Sequence, residues 1–145
     1  MQATTRPAPP QTRELTEQYF QTFNENQFDQ TAALFTSKGQ LIPPFDSPVV
    51  GEQAILAYLK KEAENITAYP ERWESEAESD GEASLKENRA YIKVTGKVNA
   101  IVFKVNVAWY FILSDAETDA PKIESVRIKL LASPKELLGL RSAAS

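Results

Sequence analysis

The sequence predicts an α+β domain in which helices come first, a meander of antiparallel strands comes next, and a short helix closes the chain. Three observations carry that expectation. Apolar residues recur at helical spacing from Leu15 to about Leu59, the period then changes from 3.6 to 2, and a capping box appears at Ser133-Pro134-Lys135-Glu136. Helices that precede a run of strands suit an arrangement in which they cover one face of a curved antiparallel sheet. Such a sheet can leave a pocket between itself and its helices.

Each element has its own signal. From Thr12 onward Leu15, Tyr19 and Phe23 fall at i, i+4 and i+8 beside Phe20, which predicts the first helix. Asn24 to Gln27 is a polar break. Phe28, Ala32 and Phe35 then form a second helical stripe, with Asp29 as its expected N-cap and Lys38-Gly39 as its end. A short extended piece at Gln40 to Ile42 leads to Pro43, Pro44 and Pro48, which forbid regular structure. Gly51 releases the chain into a third helix carrying Ile55, Leu56 and Leu59.

A strand is expected from Ile66 to about Glu76. The polar stretch SEAESDGEASLKEN after it reads as an exposed hairpin loop that turns near Asp80-Gly81. Three alternating segments come after the loop. Ile92, Val94, Val98 and Ala100 alternate with Tyr91, Lys93, Lys97 and Asn99; Phe103, Val105, Val107, Trp109, Phe111 and Leu113 alternate with Lys104, Asn106, Ala108 and Tyr110; Val126, Ile128 and Leu130 alternate with Ser125, Arg127 and Lys129. The closing helix carries Leu137, Leu138 and Leu140, with proline at its first position.

Composition narrows the chemistry. At 145 residues, with 42% hydrophobic residues, one domain is expected; residues 1–13, rich in Pro, Thr and Gln, read as a disordered arm, 14–141 as the domain and 142–145 as a tail. Sixteen Lys and Arg against 20 Asp and Glu give a net charge of −4, which does not suit a nucleic-acid surface. With no cysteine there is no disulfide or thiolate chemistry, and with no histidine the commonest general base and metal ligand is missing. No run reaches the length of a membrane span and the opening residues lack a signal-peptide core, so a cytoplasmic location is expected.

The order of elements resembles the nuclear transport factor 2-like superfamily, a cone-shaped α+β fold shared with ketosteroid isomerase and polyketide cyclases. Within it, the strings QYFQTFNENQF, PPFDSPVVGEQAILAYL, PERW, IKVTGKV, NVAW and LLASPKELLGL resemble the C-terminal domain of cyanobacterial orange carotenoid proteins and its standalone homologs. The resemblance runs from Leu15 to Arg141. It implies a cavity for one end of a ketocarotenoid of the echinenone or canthaxanthin type. The ring carbonyl would accept hydrogen bonds from Tyr19, in EQYFQTF, and from Trp109, in NVAW. A phenol O–H and an indole N–H are suited to that task because a carbonyl oxygen only accepts. The resemblance also places Pro43, Pro44, Val50, Ile66 and Ala68 around the tunnel, and Glu62, in LKKEAEN, where an acid pairs with a helical partner domain.

The resemblance further implies a non-catalytic carotenoid carrier with a photoprotective or antioxidant role, a homodimer sharing its pigment, and helical carotenoid-binding partners. Two departures stand out. The hairpin entering Phe103 is shorter than the family's, and Ala63 replaces a cysteine found in many members, so no thiol-linked dimer can form. A ketosteroid isomerase- or cyclase-like enzyme acting on a small ketone is the alternative. That reading needs a base, which falls at Pro43 by one alignment and at Asp46 by another. Taken alone, Tyr19 and Trp109 are ordinary core aromatics. Trp73 is a candidate rim residue.

Overall fold

A computed structural model of the protein describes residues 5–6, 10–76, 89–100, 103–115 and 120–131. The first helix, α1, spans Pro10–Asn24, so it begins ahead of Thr12. Before it, Thr5–Arg6 form a two-residue strand, β1, within the stretch expected to be an unstructured arm. The predicted stripe is the buried face of α1: Leu15, Tyr19, Phe20 and Phe23 all enter the core. Each such side chain contributes about 1.5–3 kcal/mol by leaving water.

Two expectations fail in the next segment. Helix α2 is only Phe28–Ala33, and its N-cap is Gln27, which makes no side-chain capping bond. Asp29 instead lies in the first turn, where a carboxylate complements the helix dipole. The chain then enters a strand, β2, at Phe35–Ile42, so Lys38-Gly39 ends no helix. Phe35 is buried in either conformation, and strand pairing decides between them: Ile123 N–H donates to the Leu34 carbonyl at 2.8 Å, beside the Phe35↔Ile123 pair. Gly39 sits in the irregularity between Phe35 and Gln40, where a Cβ would lie 2.9 Å from Phe35 Cβ and 3.0 Å from the Ile123 carbonyl oxygen. It is a bulge glycine, placed where a side chain would not fit.

A second short strand, β3 at Val49–Val50, pairs antiparallel with β2 through Leu41↔Val49 and Gln40↔Val50. Gly51, at φ 95°, then turns the chain into α3, Glu52–Glu62. The remaining strands are β4 (Ile66–Glu76), β5 (Arg89–Ala100), β6 (Phe103–Ser114) and β7 (Lys122–Leu130). The β4 to β5 loop with Asp80-Gly81 and the expected closing helix at Ser133 lie outside the described residues.

Among the described residues seven strands form one sheet in the order β1-β4-β5-β6-β7-β2-β3. Neighbours β4 to β7 are antiparallel, as their alternation predicts, whereas β2 pairs parallel with β7. The sheet is therefore mixed. Register aligns the apolar faces: Val94, Trp109 and Ile128 lie abreast on β5, β6 and β7, as do Ile92, Phe111 and Val126. Irregularities at Pro70/Arg72 in β4 and at Ile112/Leu113 beside β7 break the ladder and add bend. The helices pack into the resulting hollow.

One side chain ties helix to sheet by copying a strand. Asn24, at the end of α1, donates from Nδ2 to the Ala68 carbonyl at 2.8 Å and accepts the Ala68 N–H on Oδ1, also at 2.8 Å. Its amide thus satisfies both backbone groups of one residue of β4. Trp73 is held in a similar way: its Nε1–H donates to Thr16 Oγ1 at 2.7 Å while the Arg13 guanidinium lies 4.2 Å over its ring.

Candidate functional site

Between the concave face of the sheet and helices α1 and α3 lies a cavity of about 330 Å³. Aliphatic and aromatic side chains make most of its wall, including Leu41, Val105 and Val107 from the sheet and Phe23 and Leu59 from the helices. Of the residues predicted from sequence, Tyr19, Trp109, Pro43, Pro44, Ile66, Ala68 and Glu62 all border it. Val50 does not. It stands 52% exposed on β3, at the sheet's edge.

Tyr19 and Trp109 are brought together by strand register and helix phase. Trp109 faces inward because it shares the parity of Val107 and Phe111 on β6, and Tyr19 faces inward as the middle of the α1 stripe. Phe20 packs at right angles to both rings, with centroids 5.2 Å from Tyr19 and 4.8 Å from Trp109. Phe111 meets Tyr19 edge-on at 5.3 Å and Phe23 stacks on it at 6.0 Å, so the phenol is held on several sides. These contacts fix the ring orientations.

The two polar atoms are unusual in being idle. Tyr19 is 2% exposed and Trp109 3%, yet among the described residues neither the hydroxyl nor the Nε1–H has a hydrogen-bond partner. Buried polar groups normally find one, and an unsatisfied group costs about 1–3 kcal/mol. Burial pushes the Tyr19 pKa well above its ordinary value near 10, and the neighbouring Tyr58 adds to the rise. The phenol is therefore neutral and retains its proton as a donor.

The exposed end of the cavity is lined by Phe45, 48% exposed, and by Glu62 in the last turn of α3. Sequence reasoning missed Tyr58, which also borders the cavity. Its hydroxyl donates to Asp46 Oδ2 at 3.3 Å, and its pKa is raised by burial first, then by the charge and hydrogen bond of Asp46, then by Glu62. The available signal was the i, i+4 spacing of Tyr58 and Glu62, which puts both on one face of α3. Asp46, the candidate base, is exposed and is not among the residues that line the cavity. Trp73, half-buried, does not line the cavity either, and its N–H donates to Thr16 Oγ1.

The model of the nuclear transport factor 2 (NTF2) domain family matches residues 11–122. The chain belongs to that family. Within it, the orange carotenoid-binding protein of Limnospira maxima is 41% identical over 127 residues, which is 85% of this chain and 37% of the relative. That of Synechocystis sp. is 42% identical over 124 residues, 83% of this chain and 36% of the relative. The chain thus spans little more than a third of the curated relatives it matches, within their C-terminal region. The solved orange carotenoid protein of Anabaena, described as binding canthaxanthin, is 36% identical with a TM-score of 0.69, over 96% of this chain and 41% of that one. A ketosteroid isomerase-like protein from Erwinia carotovora, 14% identical, reaches a TM-score of 0.63 over 83% of this chain and 94% of its own. At that identity it shares the fold alone.

Proposed function

We propose that this NTF2 domain is a non-catalytic carotenoid-binding protein that holds one end ring of a ketocarotenoid, of the echinenone or canthaxanthin type, by its carbonyl. The observation that carries the reading is the pair of buried donors, Tyr19 Oη and Trp109 Nε1, which have no hydrogen-bond partner among the described residues and border one apolar cavity. A ligand oxygen accepting from both would satisfy two groups at once, while the ring would replace empty apolar space. Ile66, Ala68, Pro43 and Pro44 would contact the ring. The canthaxanthin named for the Anabaena relative supports the ligand class.

A cavity of about 330 Å³ holds only an end of so long a pigment. The polyene would leave past Phe45 and Glu62 and expose an apolar surface, which a second copy of the chain or a helical carotenoid-binding partner would cover. Homodimerisation around shared pigment, transfer to such partners with Glu62 at the contact, quenching of excited species and a cytoplasmic location complete the proposal. An enzyme acting on a small ketone would need a base near the carbonyl, and Asp46, bonded to Tyr58 at the exposed loop, does not line the cavity.

The test is to mix purified protein with canthaxanthin or echinenone and record the visible spectrum. A stable, red-shifted complex is expected, weakened about tenfold in Tyr19→Phe and in Trp109→Phe through loss of one buried hydrogen bond each. No complex, or one that neither substitution affects, overturns the proposal.

A further inference from the structure

Donors and acceptors are sorted to different places on the cavity wall. Tyr19 and Trp109 offer hydrogens. Tyr58 is a phenol as well, but its hydrogen already goes to Asp46 Oδ2, which leaves its oxygen lone pairs as what it can present to a ligand. One turn further along α3, the Glu62 carboxylate also borders the cavity and, when ionised, can only accept. Tyr58 and Tyr19 border the same cavity of about 330 Å³, so one small ring can meet both phenols. A plain ketone answers the donors and leaves the acceptors unused.

We propose that the cavity selects a ring bearing a hydroxyl on the carbon beside its ketone, with the carbonyl taken by Tyr19 and Trp109 and the hydroxyl donated to the Tyr58 oxygen. This rests on the carotenoid reading above and adds the class of ring to it. The ligand hydroxyl, the Tyr58 hydroxyl and the Asp46 carboxylate would form a chain in which each hydrogen bond polarises the next and the last ends on a negative charge. Asp46 thereby acts as a positioning residue, fixing which way the Tyr58 hydrogen points.

Two carotenoids separate the possibilities: canthaxanthin, with a ketone alone on each ring, and astaxanthin, with a hydroxyl added next to each ketone. Binding of each is monitored by the visible absorption shift. The expected result is about three- to tenfold tighter binding of astaxanthin, the worth of one net hydrogen bond. Tyr58→Phe should bring the ratio of the two constants to about one. Asp46→Ala, in the exposed loop, should also lower the ratio by returning the Tyr58 hydrogen, which lets that group serve a plain ketone; it keeps the test open if Tyr58→Phe folds poorly. Equal binding in the wild type, or a preference untouched by both substitutions, overturns the proposal and leaves the carotenoid reading standing. Failure to bind either pigment overturns both.

Discussion

Tyr19→Phe should make the ligand-free protein more stable and shrink the further stabilisation that pigment adds. The substitution removes one hydroxyl and keeps the ring that packs against Phe20, Phe23 and Phe111. In the ligand-free protein Tyr19 is 2% exposed, its hydroxyl has no hydrogen-bond partner among the described residues, and the residue borders an apolar cavity. Relief of its desolvation is worth about 1–3 kcal/mol, and for a domain of this size each kcal/mol moves Tm by about 3–4 °C. A rise of about 3–12 °C is expected in a calorimetric scan without pigment. With canthaxanthin at about a hundred times its wild-type Kd, binding adds about 2.7 kcal/mol of stability, and a tenfold weaker Kd in the variant removes about 1.4 of that. The ligand-induced shift should therefore shrink by half. Tyr58→Phe is the control: its hydroxyl donates to Asp46 at the rim, so its removal should lower Tm slightly. A Tyr19→Phe variant that melts at or below the wild-type temperature without pigment refutes the reasoning, because the hydroxyl would then already be satisfied.

Alkali should unfold the protein early, and the raised tyrosine pKa values set the sign. Above pH 10 the unfolded chain ionises Tyr19 while the folded chain keeps its proton, so stability is full below pH 10 and falls as pH climbs toward the folded pKa, at about 1.4 kcal/mol per pH unit for Tyr19. Tyr58 adds a smaller slope, since it is only half-buried, and urea titrations between pH 9 and 12 should lose the Tyr19 share in Tyr19→Phe. Gly96→Ala would set a Cβ 2.1 Å from the Tyr69 carbonyl oxygen and 2.9 Å from Pro70 Cα, both backbone atoms at the β4 irregularity. A loss of at least about 3 kcal/mol in urea unfolding is expected, and pigment binding should weaken with it. Asn24→Ala removes both bonds to Ala68 and should destabilise by about 2 kcal/mol, measured the same way.

The features legible in the sequence were local ones. The α1 stripe and the alternation in β4 to β7 come from periodicities of 3.6 and 2, and β4 lies at Ile66–Glu76 as predicted. The failures share a cause. Phe35 fits a helical stripe with Phe28 and Ala32, and only its distant partner Ile123 makes it a strand residue. The parallel pairing of β2 with β7 and the short β3 likewise depend on chain segments meeting across the fold. Asn24 looked like a helix stop and is also a hydrogen-bonding mimic of a strand, a role that exists only once β4 is beside it. Tyr19 and Trp109 could be paired from the resemblance, and Tyr58 could not, because its meaning lies in which partner takes its hydrogen.

That last point bears on how one fold can serve binders and enzymes. A carbonyl site and an oxyanion hole ask for the same thing from the protein, donors held still in an apolar wall. Catalysis needs in addition a base within reach of the carbon that loses its proton. On the proposed reading Tyr19 and Trp109 supply the first requirement, with Phe20 packed against both rings and Phe111 against Tyr19. Of the two carboxylates to consider for the second, Asp46 sits outside the wall and accepts from Tyr58, and Glu62 borders the cavity only at its exposed end. Moving a carboxylate inward, for example with Ala68→Asp, would therefore be the minimal change toward enolisation. Such a variant, incubated with a cyclic ketone in deuterated water, should exchange the protons beside the carbonyl, whereas the natural sequence should not. Exchange by the natural sequence that disappears in Glu62→Gln would overturn this division of labour, since Glu62 is the carboxylate that does border the cavity.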